Sequence, residues 1–196
     1  MITRNIILSF CFFISTTSVV GQVPVDPAIK AKFDAFIEYS NSKQWDKAFD
    51  LIYPKLFTMV PKQDMVTMMQ QMEVGMSLQM VNTRITSSSS PVKEGDETFV
   101  RLSYESDMVF TIDKGGVYDD PKAIQAIGDQ FKSSFGPRSV KWDAEGKIYT
   151  IHVVKDMMAI NPGNGEWKLV EINLEQPELM EFLFSPTIMD ELVRVE

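Results

Sequence analysis

One histidine, a train of methionines at helical spacing and a surplus of carboxylates are the residues of this chain whose types could do chemistry. His152 is the only histidine. A catalytic imidazole needs a partner carboxylate or nucleophile, and a histidine metal site needs companion ligands. In the run Ile148–Met158, Tyr149, Ile151 and Val153 alternate onto one face, which leaves His152 on the other with Thr150. A strand histidine there gains a hydrogen-bonding or general-base role only if an Asp or Glu reaches it from a neighbouring strand. Methionine is the one compositional excess, at 13, and Met65, Met68, Met69, Met72, Met76 and Met80 recur at three- and four-residue steps. Thioethers are soft ligands able to hold Cu(I). The same spacing is that of a core-facing helical stripe, which Met fills well because it adapts to irregular space. Core or pocket lining is the stronger reading, because copper sites of this kind add histidine or denser Met-x-Met pairs.

Other chemistries find less support. Glu105 and Asp107 fall on the polar side of an alternating strand, and capping accounts for one of Asp119 and Asp120. The chain has no Asp-x-Asp-x-Asp-Gly loop for calcium and no carboxylate pair of glycosidase type. A Gly-x-Ser-x-Gly elbow, a P-loop and a dinucleotide fingerprint are also missing. No cofactor is implied. The aromatics Trp45, Tyr104, Trp142, Tyr149 and Trp167 could line an apolar cavity with a few polar groups. Four of these with Met108 and His152, namely Tyr104, Met108, Trp142, Tyr149, His152 and Trp167, form the expected ligand-binding set.

The elements that must position these residues follow from patterning. Asp26-Pro27 and Asp120-Pro121 each set an N-capping carboxylate before a first-turn proline. Ile29, Phe33, Phe36 and Ile37 then predict a helix to about Ser40, and Ile124, Ile127, Phe131 and Phe135 predict one stopped by Gly136-Pro137. Gln44–Ile52 reads as a further helix ended at Tyr53-Pro54, and Pro61 begins another that reaches about Met72. Phe99–Ile112 alternates as a half-buried strand, with Ser77–Ser90 its hairpin partner. Ser139–Asp143, Ile148–Met158 and Trp167–Leu174 are three more strands, separated by Glu145-Gly146 and Pro162-Gly163 turns. The tail from Pro177 to Val195 reads as helical. Runs of this order predict an α+β fold with an antiparallel sheet and helices segregated to one face.

The first 21 residues have the grammar of a secretory leader: Arg4, an apolar run over Ile6–Ile14, and Val19-Val20-Gly21 as a cleavage site. A single domain of 175 residues would follow, spanning 22–196, either periplasmic or secreted. Cys11 is the only cysteine and lies in the leader, so the exported chain has neither a disulfide nor a thiolate ligand. Phe10 before it is too bulky for a lipoprotein box. With Arg4 removed, 18 basic residues face 27 acidic ones, a net charge of −9. No Lys/Arg cluster offers a footprint for nucleic acid or an anionic membrane. No later stretch approaches the roughly 18 apolar residues of a membrane helix.

The helical pair Phe33–Ile52, hairpin Ser77–Ile112, middle helix Pro121–Phe135 and meander Ser139–Leu174 resemble the nuclear-transport-factor-2-like superfamily. The segment Tyr53-Pro54-Lys55-Leu56-Phe57 with Val60-Pro61-Lys62 also looks like that of exported bacterial proteins of unassigned function. The resemblance implies N-terminal helices packed into a strongly curved, cystatin-like cone, with a short C-terminal helix and a convex face able to form a homodimer. It spans nearly the whole exported chain as topology and fixes no activity, since that superfamily holds isomerases, dehydratases, ligand binders and dimerisation modules. The expectation is therefore a module that binds a small apolar ligand or a protein partner. An isomerase or dehydratase with an acid/base residue in the cone is one alternative, and Met-based copper binding is the other.

Overall fold

The computed structural model describes residues 24–194, so the leader expected at 1–21 lies outside the described residues. Both capped helices form where their grammar places them. The Asp26 carboxylate accepts from the Ala28 N–H at 2.7 Å and opens α1 (Pro27–Asn41). The Asp120 carboxylate accepts from Lys122 and Ala123 and opens α4 (Pro121–Phe135), which ends at Gly136, where φ is +82°. Between them lie α2 (Trp45–Asp50), a 3-10 turn (Pro54–Thr58) and α3 (Lys62–Met72). Helix α2 is shorter than its pattern predicts. Its exit is taken by a parallel bridge from Ile52 to Leu169, in which Tyr53 N–H donates to the Leu169 carbonyl at 2.9 Å.

Six strands make one antiparallel sheet: β1 (Met76–Ser88), β2 (Val92–Glu94), β3 (Glu97–Ile112), β4 (Val140–Asp143), β5 (Ile148–Asn161) and β6 (Lys168–Ile172). Long β3 and β5 pair at the centre, with Asp107 opposite His152. β1 and β2 flank β3, while β4 and β6 flank opposite ends of β5. Alternation sends Val100, Leu102, Tyr104, Met108, Phe110 and Ile112 to one face. There they meet α1 to α3 at one end and α4 at the other.

Two expectations are corrected here. The helices do not keep to one face: α5 (Pro177–Leu183), α6 (Pro186–Ile188) and a π-helical turn (Met189–Val193) pack on the opposite side. They lie against Phe99, Met158, Ile160 and Val170. Four consecutive buried residues, Met157 to Ile160, are what a strand covered on both faces requires. The second correction follows from the first. The sheet is neither strongly curved nor closed, so the cone, and with it the likeness to the nuclear-transport-factor-2-like superfamily, does not hold. A helical layer on each side holds the sheet as the middle of a sandwich at that end. Its concave wrapping around an enclosed ligand pocket is lost.

At the other end α4 approaches the sheet closely. A Cβ on Gly128 would stand 2.4 Å from the Tyr149 hydroxyl, which donates to the Ile124 carbonyl at 2.7 Å. On the outer edge, β1 is bulged between Val81 and Arg84 and between Ile85 and Ser87, which discourages strand addition. Asn41 at the end of α1 does more for that edge. Its amide donates to the Met80 carbonyl at 2.8 Å and accepts from the Met80 N–H at 2.7 Å, standing in for one residue of a partner strand. No helix among the described residues is long and apolar enough to cross a membrane.

Candidate functional site

The six residues expected to form one site are dispersed. Tyr104 is buried beneath α1, its ring edge-on to Phe33 at 5.3 Å, and its hydroxyl donates to Glu171 Oε2 at 3.5 Å. Burial, reinforced by the Glu171 charge, pushes its pKa up, and Glu171 is ion-paired with Lys155. Met108 and Tyr149 belong to the cluster under α4, with Trp142 stacked on the Tyr149 ring at 4.3 Å. Trp167 packs against the α1 core beside a hollow of about 90 Å³ shared with Ile29 and Val100. His152 projects from the opposite face.

That opposite face does bring one predicted partnership together. His152 Nδ1 lies 2.9 Å from Asp107 Oδ1, the cross-strand carboxylate that the sequence reading required. Asn82, in the β1 bulge at φ +53°, donates to Asp107 Oδ2 at 2.8 Å. These bonds, Asn82's first and then the imidazole's, hold the Asp107 carboxyl below its ordinary pKa. An ionised Asp107 carboxylate only accepts, so Nδ1 carries the proton of the shared bond. The array is orderly but open, since the His152 side chain is 55 % exposed. Its neighbours are saturated in the same way: Arg84 bonds Glu105, and both Arg101 and Ser103 bond Asp156. Among the described residues, no group of three or more His, Asp, Glu or Cys side chains is arranged to hold a metal ion.

The methionine stripe divides. Met65, Met69 and Met80 pack on the α1–α2 core, Met72 and Met76 belong to the α4 cluster, and Met68 faces solvent. Two of the first group, Met69 and Met80, wall a cleft of about 170 Å³ with Phe36, Phe49 and Leu78. Its construction is legible residue by residue. Phe36 and Ser40 stand one turn apart on α1, Trp45 and Phe49 one turn apart on α2, and Leu78 and Met80 share a face of β1. Asn41 completes the lining, but both functions of its amide are taken by Met80.

Two residues of the lining carry an anomaly. Ser40 Oγ and Trp45 Nε1 are buried, each residue only 6 % exposed, and neither has a hydrogen-bond partner. A third such atom among the described residues, Glu73 Oε1, has the Lys43 ammonium 3.6 Å away. The two without any partner belong to residues of the same cleft lining, although the atoms themselves are sealed from solvent. A buried donor left unmade costs about 1–3 kcal/mol, and proteins keep few of them. Elsewhere this molecule satisfies its buried hydroxyls: Tyr53 donates to Glu97 at 2.9 Å, where burial, with help from that bond, pushes its pKa up to about 12.

Sequence reading had singled out Trp45, Met69 and Met80 separately. It missed Phe36, Ser40, Phe49 and Leu78 as their companions, because only the packing of three helices on the β1 edge makes them neighbours. No family model matches the chain, and no curated protein matches it either.

Proposed function

We propose that the protein is an exported binding protein that takes a small, mostly apolar ligand in the cleft between α1, α2, α3 and the β1 edge. The observation that carries this reading is the cleft itself: apolar walls and a half-exposed rim of Phe36, Met69, Leu78 and Met80, with no charged residue in the lining. Its volume, about 170 Å³, falls below the few hundred Å³ of drug-sized pockets. It compares with the roughly 150 Å³ apolar cavity that stays dry and accepts benzene. Export rests on the leader pattern of residues 1–21, and a net charge of −8 for the whole chain favours solubility in that compartment.

Benzene titration followed by the methyl resonances of labelled methionines tests the site. Met69 and Met80 are expected to shift together in a saturable way, while Met158, fully buried against the C-terminal helices, stays put. Unmoved Met69 and Met80 signals at saturating benzene would remove the reading.

A further inference from the structure

Sulfur stands at the edge of this cleft. Met69 on α3 and Met80 on β1 are half-exposed there and wall the cavity with Phe36, Phe49 and Leu78. Cys11 lies in the leader, so thioethers are the only oxidisable sulfurs of the exported chain. The other methionines sit differently. Met76, Met157, Met158, Met180 and Met189 are buried, whereas Met59 and Met68 are exposed outside the cleft. Met65, Met72 and Met108 pack against the two cores and do not line it.

A thioether suits an apolar wall because it is soft, flexible and has no strong hydrogen bond to lose. Oxidation reverses this, since a sulfoxide is polar and its oxygen accepts hydrogen bonds from water. The cleft has no charged residue to receive that oxygen. The polar atoms of Ser40 and Trp45 are sealed from solvent, and the Asn41 amide is engaged by the Met80 backbone. An apolar ligand covering an oxidised wall would therefore strip the sulfoxide of water and replace nothing.

We infer that Met69 and Met80 are a peroxide-modification site whose conversion to sulfoxide closes the cleft to apolar ligands. This rests on the ligand-binding reading of the same cleft and adds its regulation. A sulfur lone pair attacks one oxygen of hydrogen peroxide and the O–O bond breaks. That oxygen stays on sulfur, which is oxidised, and the other leaves as water with both protons, the peroxide being reduced. The effect runs both ways, because a ligand seated against the two side chains shields them from peroxide.

Hydrogen peroxide treatment of the exported chain, mapped by peptide mass spectrometry and followed by benzene titration, tests the inference. The dose is one that leaves Met158 and Met180 as thioethers. Met69 and Met80 should then be sulfoxides, and benzene should bind at least about tenfold more weakly, the effect of burying one unpartnered polar group. Methionine sulfoxide reductases should restore the affinity. Met59→Leu with Met68→Leu should lose binding on oxidation as the parent does. In Met69→Leu with Met80→Leu, the affinities before and after peroxide should match, whatever the starting value. Should that pair unfold, the parent protein supplies a second readout. Benzene present during oxidation should slow the reaction at Met69 and Met80 and leave Met68 unaffected. Unchanged benzene affinity once Met69 and Met80 are sulfoxides, or equal losses in the two double variants, would overturn the inference and leave the ligand reading standing. So would Met69 and Met80 that remain thioethers when Met59 and Met68 are fully converted. Unoxidised protein that binds no benzene would overturn both.

Discussion

Two regions of this molecule gather polar side chains, and they do so in opposite ways. On the open face of the sheet, Asn82, Asp107 and His152 form a chain of hydrogen bonds, Arg84 meets Glu105, and Arg101 with Ser103 meets Asp156. Every group there has a partner, and solvent has access to the array. In the cleft under β1 the walls are present and the partners are absent. The contrast separates residue type from function. The face holds the only histidine and its carboxylate, the constellation that looks most like chemistry. Yet a saturated, solvated network of this sort contributes little beyond local order, with exposed ion pairs worth about 0–1 kcal/mol. The cleft has no titrating group, and its half-exposed apolar walls are the surface a ligand would cover.

Substitutions break the comparison most visibly where the walls are touched. Phe49→Ala removes a buried ring between α2 and the core and should cost about 3–5 kcal/mol in urea unfolding, with loss of benzene binding. Val154→Ala, on the open face at 69 % exposure, should stay within about 0.5 kcal/mol of the parent. Equal effects at the two positions would dissolve the distinction between walled and open regions. Asn41→Ala is the intermediate case. It strips both hydrogen bonds from the Met80 backbone and should cost about 1–3 kcal/mol, with faster amide exchange at Met80. Protection at Met80 that matched the parent would show that the amide is not what holds this edge.

The smallest effect belongs to the face. Asp107 has a folded-state pKa below its ordinary value, so the stability it contributes is present above the unfolded pKa and is lost as pH falls through the lowered folded one. Carboxyl NMR should find Asp107 titrating below the ordinary aspartate range. Asp107→Asn should flatten that part of the acid unfolding profile while shifting neutral-pH stability by no more than about 1 kcal/mol. A normal Asp107 titration would mean that Asn82 and His152 do not hold it in solution.

Much of this could be anticipated from residue order. Asp-Pro caps placed α1 and α4, and alternation placed β3, and His152 on the polar face of β5. The cross-strand carboxylate that His152 needed could be named only as a condition, because register between β3 and β5 is a tertiary fact. The C-terminal helices were expected, but their side of the sheet was not. The signal was there in Met157 to Ile160, an unbroken apolar run where a one-sided strand would alternate. The strand expected over Ile148–Met158 ended inside that run, and the curved sheet came only from the superfamily resemblance.

Local sequence by itself determined where α1 and α4 start and where α4 stops, which face of β3 is the more polar, and that Trp45 and most of the methionine stripe would be drawn inward. Caps, prolines and alternation act within a few residues, so their consequences are written locally. Only the tertiary structure decided that the sheet would be sandwiched at one end and remain uncurled, and that Ser40 and Trp45 would line one cleft. Those outcomes depend on which helices compete for which face of the sheet. The competition is settled by burying whole surfaces at once, across separations such as the 39 residues that divide Asn41 from Met80.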